Sequence, residues 1–368
     1  MLQRVLKIFR PTRKTSLGID IGTSSVKVVE IAGGPKTPEL LSYGELQTYG
    51  YLRRLREPLQ SASVSLLDGD IAGMIRQILD AAGVTTRHAS LSIPLFSAFS
   101  ATIELPVMTQ EELQEAVPYQ AQQIVPVPLS EVILDWEVIG RYGKVEAQGV
   151  APRQRLLVLL VAVPREVVDH AVRIAKLAQI ELDGLEVETF SLVRSSLRDE
   201  KRPTALIDIG ARSTNLVIAE EGTVRVSRSI DTSGSELTTA ISRSLGIELG
   251  RAEAMKIEDG IEEDTPANIR GILLTIIDGI LTEAEKLMTT YVRHYGKQVE
   301  RVVLAGGTAT LPGLAGYANE RLRVPVSLAK PFEGFRCPDE LRPVLEEIGP
   351  SFAVAVGLAL RNVVGAQG

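Results

Sequence analysis

The stretch Leu17-Gly-Ile-Asp-Ile-Gly-Thr-Ser-Ser-Val-Lys-Val-Val-Glu-Ile31 reads as a buried strand, a tight glycine turn and a returning strand. The chain uses that plan twice, the second time as Ala205-Leu-Ile-Asp-Ile-Gly-Ala-Arg-Ser-Thr-Asn-Leu-Val-Ile-Ala219. The shared core, Ile-Asp-Ile-Gly-x-x-Ser, matches Asp20 with Asp208, Gly22 with Gly210 and Ser25 with Ser213. A carboxylate at the end of an apolar strand is costly to bury unless a cation or hydrogen-bond donors meet it, so its duplication calls for a reason: one such hairpin reads as an ordinary turn, but the pair in matched strand contexts is far more specific. Glycine two positions on lets the backbone approach that ligand. Thr23, Ser24 and Ser25 in one copy, and Arg212, Ser213 and Thr214 in the other, offer donors to phosphate. Two such hairpins facing each other would enclose a polyphosphate. Asp20 and Asp208 would then point through water at its magnesium, an ion that keeps its waters and takes few protein carboxylates. The GxxxxGK[ST] loop and a strand-borne GxGxxG are both absent, which removes the usual loop-to-helix phosphate grips.

Working outward, 368 residues exceed one ordinary domain and predict two lobes. Apolar residues at 45% and charged residues at 23% exclude disordered, collagen-like and disulfide-scaffold classes. A net charge of −6 argues against a surface built to grip nucleic acid. Cys337 has no partner for an internal disulfide, and His88, His170 and His294 are too scattered for a zinc site. The longest apolar run, Leu156 to Val163, suits a buried strand rather than a membrane span. At the N-terminus, Leu2, Val5, Leu6 and Phe9 recur at helical spacing among Arg4, Lys7, Arg10, Arg13 and Lys14. Segment 1–14 is therefore either a short amphipathic helix for anionic lipid or a partner, or a solvated leader ended by Pro11.

A third glycine element follows late in the chain. Val302-Val-Leu-Ala-Gly-Gly-Thr-Ala-Thr-Leu-Pro-Gly-Leu314 is an apolar strand running into Gly306, Gly307 and Thr308, then a helix to about Leu322. The glycines either let backbone lie against a nucleotide or simply make a tight turn. Glu253 and Lys256, at i and i+3, share one helix face and suit ribose and adenine, or form an ordinary ion pair. Lys27 and Arg212 either touch a phosphate or point outward from their hairpins.

In chain order, the Asp20 hairpin, the Asp208 hairpin, Glu253-x-x-Lys256 and Gly306-Gly307-Thr308 resemble four motifs of the actin, sugar kinase and heat-shock chaperone ATPase superfamily. These are its phosphate-1, phosphate-2, adenosine-helix and adenosine-loop motifs. Within it the chain resembles the PilM family of type IV pilus assembly and, through it, the FtsA cell-division family. The most PilM-like stretches are Glu104-Leu-Pro-Val-Met-Thr-Gln-Glu-Glu-Leu-Gln-Glu-Ala-Val117, Gln122-Gln-Ile-Val-Pro-Val-Pro-Leu129 and Val132-Ile-Leu-Asp-Trp-Glu137. The resemblance implies a two-lobed actin-like α/β fold, ATP and magnesium as cofactors, and a small α+β insert of the kind called 1C in the first lobe.

A helix from Asp70 to Gly83 and a strand at Ala89 to Ile93 fall in the first lobe, and from about Ser97 the pattern changes to that of such an insert, with a strand to Leu105. A Thr109-capped helix to Ile124, strands at Val132 to Ile139 and Arg155 to Val163, and a helix from Arg165 to Ala178 complete a split βαβ pattern. Gly140 to Arg153 reads as a hairpin loop. The expected divisions are 15–96 with 179–203 for the first lobe, 97–178 for the insert and 204–368 for the second lobe. Glu236 to Arg293 should be mostly helical with a break near Glu262 to Pro266, and a helix from Pro350 to Val364 should pack between the lobes.

Hydrolysis needs a group that positions water in line with the γ-phosphate. By resemblance it sits on the first-lobe connecting stretch, where Glu188 is the nearest candidate and is equally readable as a turn residue. The resemblance further implies a scaffold with weak or no ATP hydrolysis at the inner face of the inner membrane. Its partner would be the cytoplasmic tail of a PilN-like bitopic protein, coupled indirectly to a PilO-like protein and the pilus motor ATPases. Two rivals stand: an FtsA-like filament former, whose C-terminal amphipathic anchor is not seen after Gly365, and a small-molecule kinase, for which no acceptor-binding carboxylate stands out.

Overall fold

The computed structural model describes residues 15–34, 37–47, 61–144 and 153–363. The basic segment 1–14 and the loop 145–152 lie outside the described residues. The chain opens with β1 (Thr15–Ile21), β2 (Ser25–Ala32), β3 (Glu39–Gln47), α1 (Ser61–Ala81) and β4 (His88–Ile93). It continues through β5 (Phe99–Pro106), α2 (Gln110–Ile124), β6 (Val132–Lys144) and β7 (Arg153–Pro164) to α3 (Arg165–Leu177), β8 (Glu181–Val187) and α4 (Glu188–Ser196). The second half contains β9 (Thr204–Ile209), β10 (Thr214–Glu220), β11 (Thr223–Ile230), α5 (Gly234–Leu245), α6 (Leu249–Asp259) and α7 (Ala267–Tyr295). It closes with β12 (Arg301–Ala305), α8 (Leu314–Leu322), β13 (Val326–Leu328) and α9 (Arg342–Val363).

The sequence repeat becomes a structural one. The first large sheet has the order β3-β2-β1-β4-β8 and the second β11-β10-β9-β12-β13. In each, a three-stranded antiparallel meander continues into two parallel strands. Asp20 and Asp208 therefore sit near the C-terminal ends of the middle strands of equivalent sheets, where open α/β sheets collect ligands. β9 and β10 are buried along their whole length, as strands covered on both faces must be. One cover is the long helix α7, whose Ile269, Leu273, Ile277, Ile280, Ala284, Leu287 and Tyr291 make a single buried stripe.

Helices α4 and α9 cross between the two sheets, and glycines set how closely they approach. A Cβ on Gly18 of β1 would strike the Ala355 carbonyl and the Ala359 amide of α9. One on Gly357 would strike the Ser191 carbonyl of α4. The expected inter-lobe helix is thus present, beginning at Arg342 with Pro350 inside it, and its small residues form the contact. The Pro350 carbonyl accepts a hydrogen bond of 2.9 Å from the Gly306 amide, tying this helix to the late glycine loop.

In the insert, β5-β7-β6 form a separate sheet covered by α2 through Leu113, Val117 and Ala121. The expected cap is a full capping box: Thr109 Oγ1 accepts from the Glu112 amide at 3.3 Å, and Glu112 Oε2 accepts from the Thr109 amide at 2.7 Å. On the other face, Ile139 and Leu159 pack with Val217, Ala219 and Val224 of the second lobe. α3, counted with the insert by sequence, buries Ile174 and Ala175 with Ile75 and Leu79 in the first-lobe core.

Several boundaries differ from the sequence reading. α1 begins at Ser61, ahead of Asp70, because helix propagates through a Ser- and Gly-containing stretch of poor propensity. β6 and β7 run past Ile139 into the expected loop, with a bulge between Val138 and Gly140 absorbing the glycine. The helical run after Glu236 breaks at Gly246, which takes φ 64°, as well as near Pro266. The strands β3, β11 and β13 have no counterpart in the sequence reading; β3 is largely half-exposed, which blurs its pattern.

Candidate functional site

The two hairpins close with one bond each, of equal length: the Gly22 amide donates to the Ser25 carbonyl at 3.0 Å, and the Gly210 amide to the Ser213 carbonyl at 3.0 Å. Across the ladder, Asp20 pairs with Lys27, and Asp208 pairs with Asn215. Lys27 does not point outward. Its Nζ donates to Ser25 Oγ at 2.7 Å, lies 3.3 Å from Glu45 and 6.0 Å from the Phe352 ring, and only 12% of the side chain is exposed. Arg212 takes the opposite course: it is exposed and its guanidinium stacks 4.8 Å from the Phe96 ring at the start of the insert. Thr23 and Ser24 line the first turn half-buried.

Three carboxyl groups converge here. Asp20 Oδ1 accepts from Ser92 Oγ of β4 at 2.8 Å, and burial raises its pKa against the opposing pull of Lys27 and Ser92. Asp208 is pushed up to about 6 by burial and by the Asp20 charge. Glu188 opens α4 as the chain leaves β8, and burial together with the Asp208 and Asp20 charges raises it to about 8. Its Oε1 accepts from the Leu95 amide at 2.7 Å and from Asn215 Nδ2 at 2.8 Å. The neighbouring Glu186 shows the contrast, because Arg194 grips it at 2.6 Å and Arg361 lies at 3.6 Å. Among the described residues Glu188 has no such ion pair.

The glycine loop closes the other side. Gly306 has φ 88°, and a Cβ there would come within 2.5 Å of the Ile209 carbonyl and 2.6 Å of Asp208 Oδ1, so only glycine fits against the second aspartate. Gly307 faces open space, and buried Thr308 donates its amide to the Ile209 carbonyl at 3.3 Å. Gly234, at the start of α5, donates to the Gly210 carbonyl at 2.9 Å, and a Cβ on it would strike Thr308 Oγ1. Lys256 is buried, with Nζ 2.7 and 2.8 Å from Glu253, 3.0 Å from Thr238 Oγ1 and 3.3 Å from the Gly234 carbonyl. It therefore ties α6 to α5 from below rather than offering a free charge.

The fold brings Asp20, Asp208, Glu188, Gly306 and the two hairpin turns to one place, and sets Lys256 and Glu253 beside it through α5. Sequence reading missed Ser92 and Asn215. Asn215 occupies the repeat position of Lys27, so aligning the two copies to their ends would have exposed it. Asn215 Oδ1 is buried and has no hydrogen-bonding partner among the described residues. Among those residues no group of three His, Cys, Asp or Glu is arranged to ligate a metal directly. Crowded carboxylates with raised pKa values fit a hydrated divalent cation, which brings positive charge and water hydrogens to them.

A family model described as Type IV pilus assembly protein PilM matches residues 18–363. The chain belongs to that family. It is similar to the solved structure of a PilM-PilN type IV pilus biogenesis complex, with a TM-score of 0.79 and 27% identity over 96% of this chain and 99% of that one. MreB5 of Spiroplasma citri bound to AMPPNP shares the fold, with a TM-score of 0.50 and 14% identity over 94% of this chain and 95% of that one. Cell division protein FtsA of Streptococcus pneumoniae is 22% identical over 87% of this chain and 77% of its own length. The fold is therefore the two-lobed actin-like one that the sequence resemblance implies, elaborated in the PilM manner.

Proposed function

We propose that this PilM-family chain is a cytoplasmic scaffold that binds ATP and magnesium between its hairpins and, in that state, holds the cytoplasmic tail of a PilN-like inner-membrane protein. The observation that carries the reading is the crowding of Asp20, Asp208 and Glu188, drawn from both lobes, with a raised pKa at each. Bound magnesium would supply the positive charge these groups lack and offset the triphosphate. Asp20 and Asp208 would hold its waters, the Gly22 and Gly210 turns would approach the phosphates, and Gly306 with Gly307 would face the nucleoside end. The solved AMPPNP complex of MreB5 supports a nucleotide in this fold.

The partner reading rests on the PilM-PilN complex as structural neighbour. Support within this chain comes from the insert, where Val107, Tyr119, Ile124 and Val127 are exposed large apolar residues. An extended tail with alternating apolar residues would suit such a surface. Through it the chain would couple PilN-like and PilO-like proteins to the pilus motor ATPases from the inner face of the inner membrane. Glu188 is held by two donors in a place where it could position water, and turnover is expected to be slow or nil.

Two measurements test the reading together. Calorimetry should show ATP binding strengthened by magnesium; no binding to the wild-type chain would refute the nucleotide assignment. A pull-down with a synthetic membrane-partner tail should fail for Tyr119→Asp with Ile124→Asp while ATP binding persists; undiminished capture would move the partner site off this surface.

A further inference from the structure

The two hairpin turns differ in charge at one position. Aligned through their aspartates, Gly22-Thr-Ser-Ser25 meets Gly210-Ala-Arg-Ser213, so Arg212 stands where the first turn has Ser24. The second turn is also pinned from outside: the Gly234 amide donates to the Gly210 carbonyl at 2.9 Å, and the Ser235 amide to the Ala211 carbonyl at 3.3 Å. Arg212 therefore leaves a fixed backbone, and its exposed side chain lays the guanidinium 4.8 Å from the centre of the Phe96 ring, itself 41% exposed. That contact uses the face of the guanidinium. Its N–H donors lie in the plane, and among the described residues they bond nothing. Phe96 sits in the turn Leu95–Ser97, through which the chain passes from β4 into the insert. Its neighbour Leu95 is buried with Ile93, Val163 and Val187, and the Leu95 amide donates to Glu188 Oε1 at 2.7 Å, so the ring is presented from an anchored turn.

We infer that Arg212 is a phosphate ligand beyond the backbone grip of the two turns, and that Phe96 is the residue that positions it, so that their stack couples the occupied site to the entry turn of the insert. This rests on the nucleotide reading above. An arginine on a turn loses rotamer freedom when it binds, and a ring that already holds its plane removes part of that cost. The donors left at the edge of the plane match the oxygens of a polyphosphate, which can accept two parallel N–H bonds from one guanidinium. Coupling of this kind is reciprocal: whatever the ring adds to the grip on phosphate, bound phosphate adds to the order of the turn. A stack that merely stapled the second lobe to the insert would leave ATP affinity untouched.

Calorimetry with magnesium-ATP is run on Arg212→Ala, Phe96→Ala and the double variant. Hydrogen exchange is followed at the Ser97 and Ala98 amides, which close the turn on the Pro94 and Leu95 carbonyls at 3.0 Å each. A hydrogen bond to a charged group shifts an equilibrium by about 10-fold or more, so Arg212→Ala should lose about that factor in ATP affinity. An exposed cation–π contact is worth about 2- to 5-fold, which is the loss expected of Phe96→Ala. The double variant should bind no worse than Arg212→Ala alone, because the ring acts only through the arginine. Magnesium-ATP should slow exchange at Ser97 and Ala98 by about 2- to 5-fold in the wild type and in neither single variant. Wild-type affinity in Arg212→Ala overturns the ligand role. Unchanged or raised affinity in Phe96→Ala overturns the positioning role, as does an equal loss from that substitution when Arg212 is already replaced. Exchange that responds alike in the wild type and in Phe96→Ala overturns the link to the insert. If Phe96→Ala does not fold, Phe96→Leu keeps the apolar bulk without the ring and carries the same outcomes. A wild-type chain that binds no ATP fails the parent reading instead, which keeps the two failures distinct.

Discussion

The two hairpins share backbone, turn bond and aspartate, and differ at the residue facing that aspartate: Lys27 in the first, Asn215 in the second. Burial raises the pKa of both Asp20 and Asp208, and Lys27 brings a cation that opposes that rise. Asn215 brings an amide that can bond two carboxyl groups but neutralises neither. The first hairpin is therefore largely self-compensated through Lys27, Ser25 and Glu45, whereas the second leaves a carboxyl group with no cation across its own ladder. A duplicated fold has kept the geometry twice and divided the electrostatics between the copies.

The largest expected effect comes from removing the second aspartate. Asp208→Ala should weaken magnesium-dependent ATP binding on the order of 100-fold, and Asp20→Ala should do so less, because the Asp20 carboxylate is already bonded by Ser92. Asp208→Asn should also raise the melting temperature of the nucleotide-free chain at pH 7, since it removes one of the crowded charges. Calorimetry and thermal unfolding check the pair, and equal losses from both aspartates would erase the asymmetry between the hairpins.

Next in size is the glycine loop that leans on the second hairpin. Gly306→Ala must hold a non-glycine residue at φ 88°, which alone costs about 1–3 kcal/mol, and its Cβ would press on Asp208 Oδ1 2.6 Å away. Gly307→Ala enters open space and should leave the melting temperature unchanged. If both variants melt alike, the loop does not lean on β9 as described. Gly307→Val remains the probe of nucleotide contact: a well-folded variant with normal affinity would confine the role of Gly307 to the turn.

Much of this contrast was legible from residues, and the parts that were not share a cause. The repeated Ile-Asp-Ile-Gly announced both hairpins because a carboxylate at the end of an apolar strand is costly to bury, and here it recurs in matched strand contexts. The capping box at Thr109 and the small residues of α9 were equally local signals. Glu186 and Glu188, by contrast, look alike in sequence; only the fold places Arg194 and Arg361 on the first and Asn215 on the second. Lys27, readable as a phosphate ligand or an outward residue, is instead buried against Glu45, and Lys256 forms the ion pair with Glu253 that was one of its two readings, but buried rather than at the surface. Long-range pairing decides which charge is satisfied, and periodicity does not report it.

Acid–base behaviour should follow the same division. In the nucleotide-free chain Glu188 holds its proton up to about 8 and Asp208 to about 6, against ordinary values of 4.5 and 3.8. The folded state then binds more protons than the unfolded one across that window, so these groups make stability fall as pH rises from about 4 to 8. A cation competes with those protons, so magnesium-ATP affinity should rise from pH 6 to 8, with proton release on binding. Calorimetry in buffers of different ionisation enthalpy measures that release. Glu188→Gln should flatten the upper part of the profile, and an unchanged profile would take Glu188 out of the charged cluster.

The smallest effect is expected at Lys27, and it tests the first hairpin's self-sufficiency directly. A lysine serving as a phosphate ligand would be missed with or without magnesium, so Lys27→Met would lower ATP affinity in both conditions. Here Nζ is spent on Ser25 Oγ at 2.7 Å and on Glu45 at 3.3 Å, and its field reaches the aspartates without contact with the turn's open side. Removing the charge leaves Asp20 and Asp208 readier to hold protons, which weakens the metal at acidic pH, and it removes a repulsion on the metal itself, which strengthens it at alkaline pH. The two nearly cancel near neutrality. The expected outcome is an ATP affinity within about threefold of wild type at pH 7, with a steeper pH dependence below it. A tenfold loss in chelator would instead make Lys27 a phosphate ligand and restore the symmetry of the two hairpins.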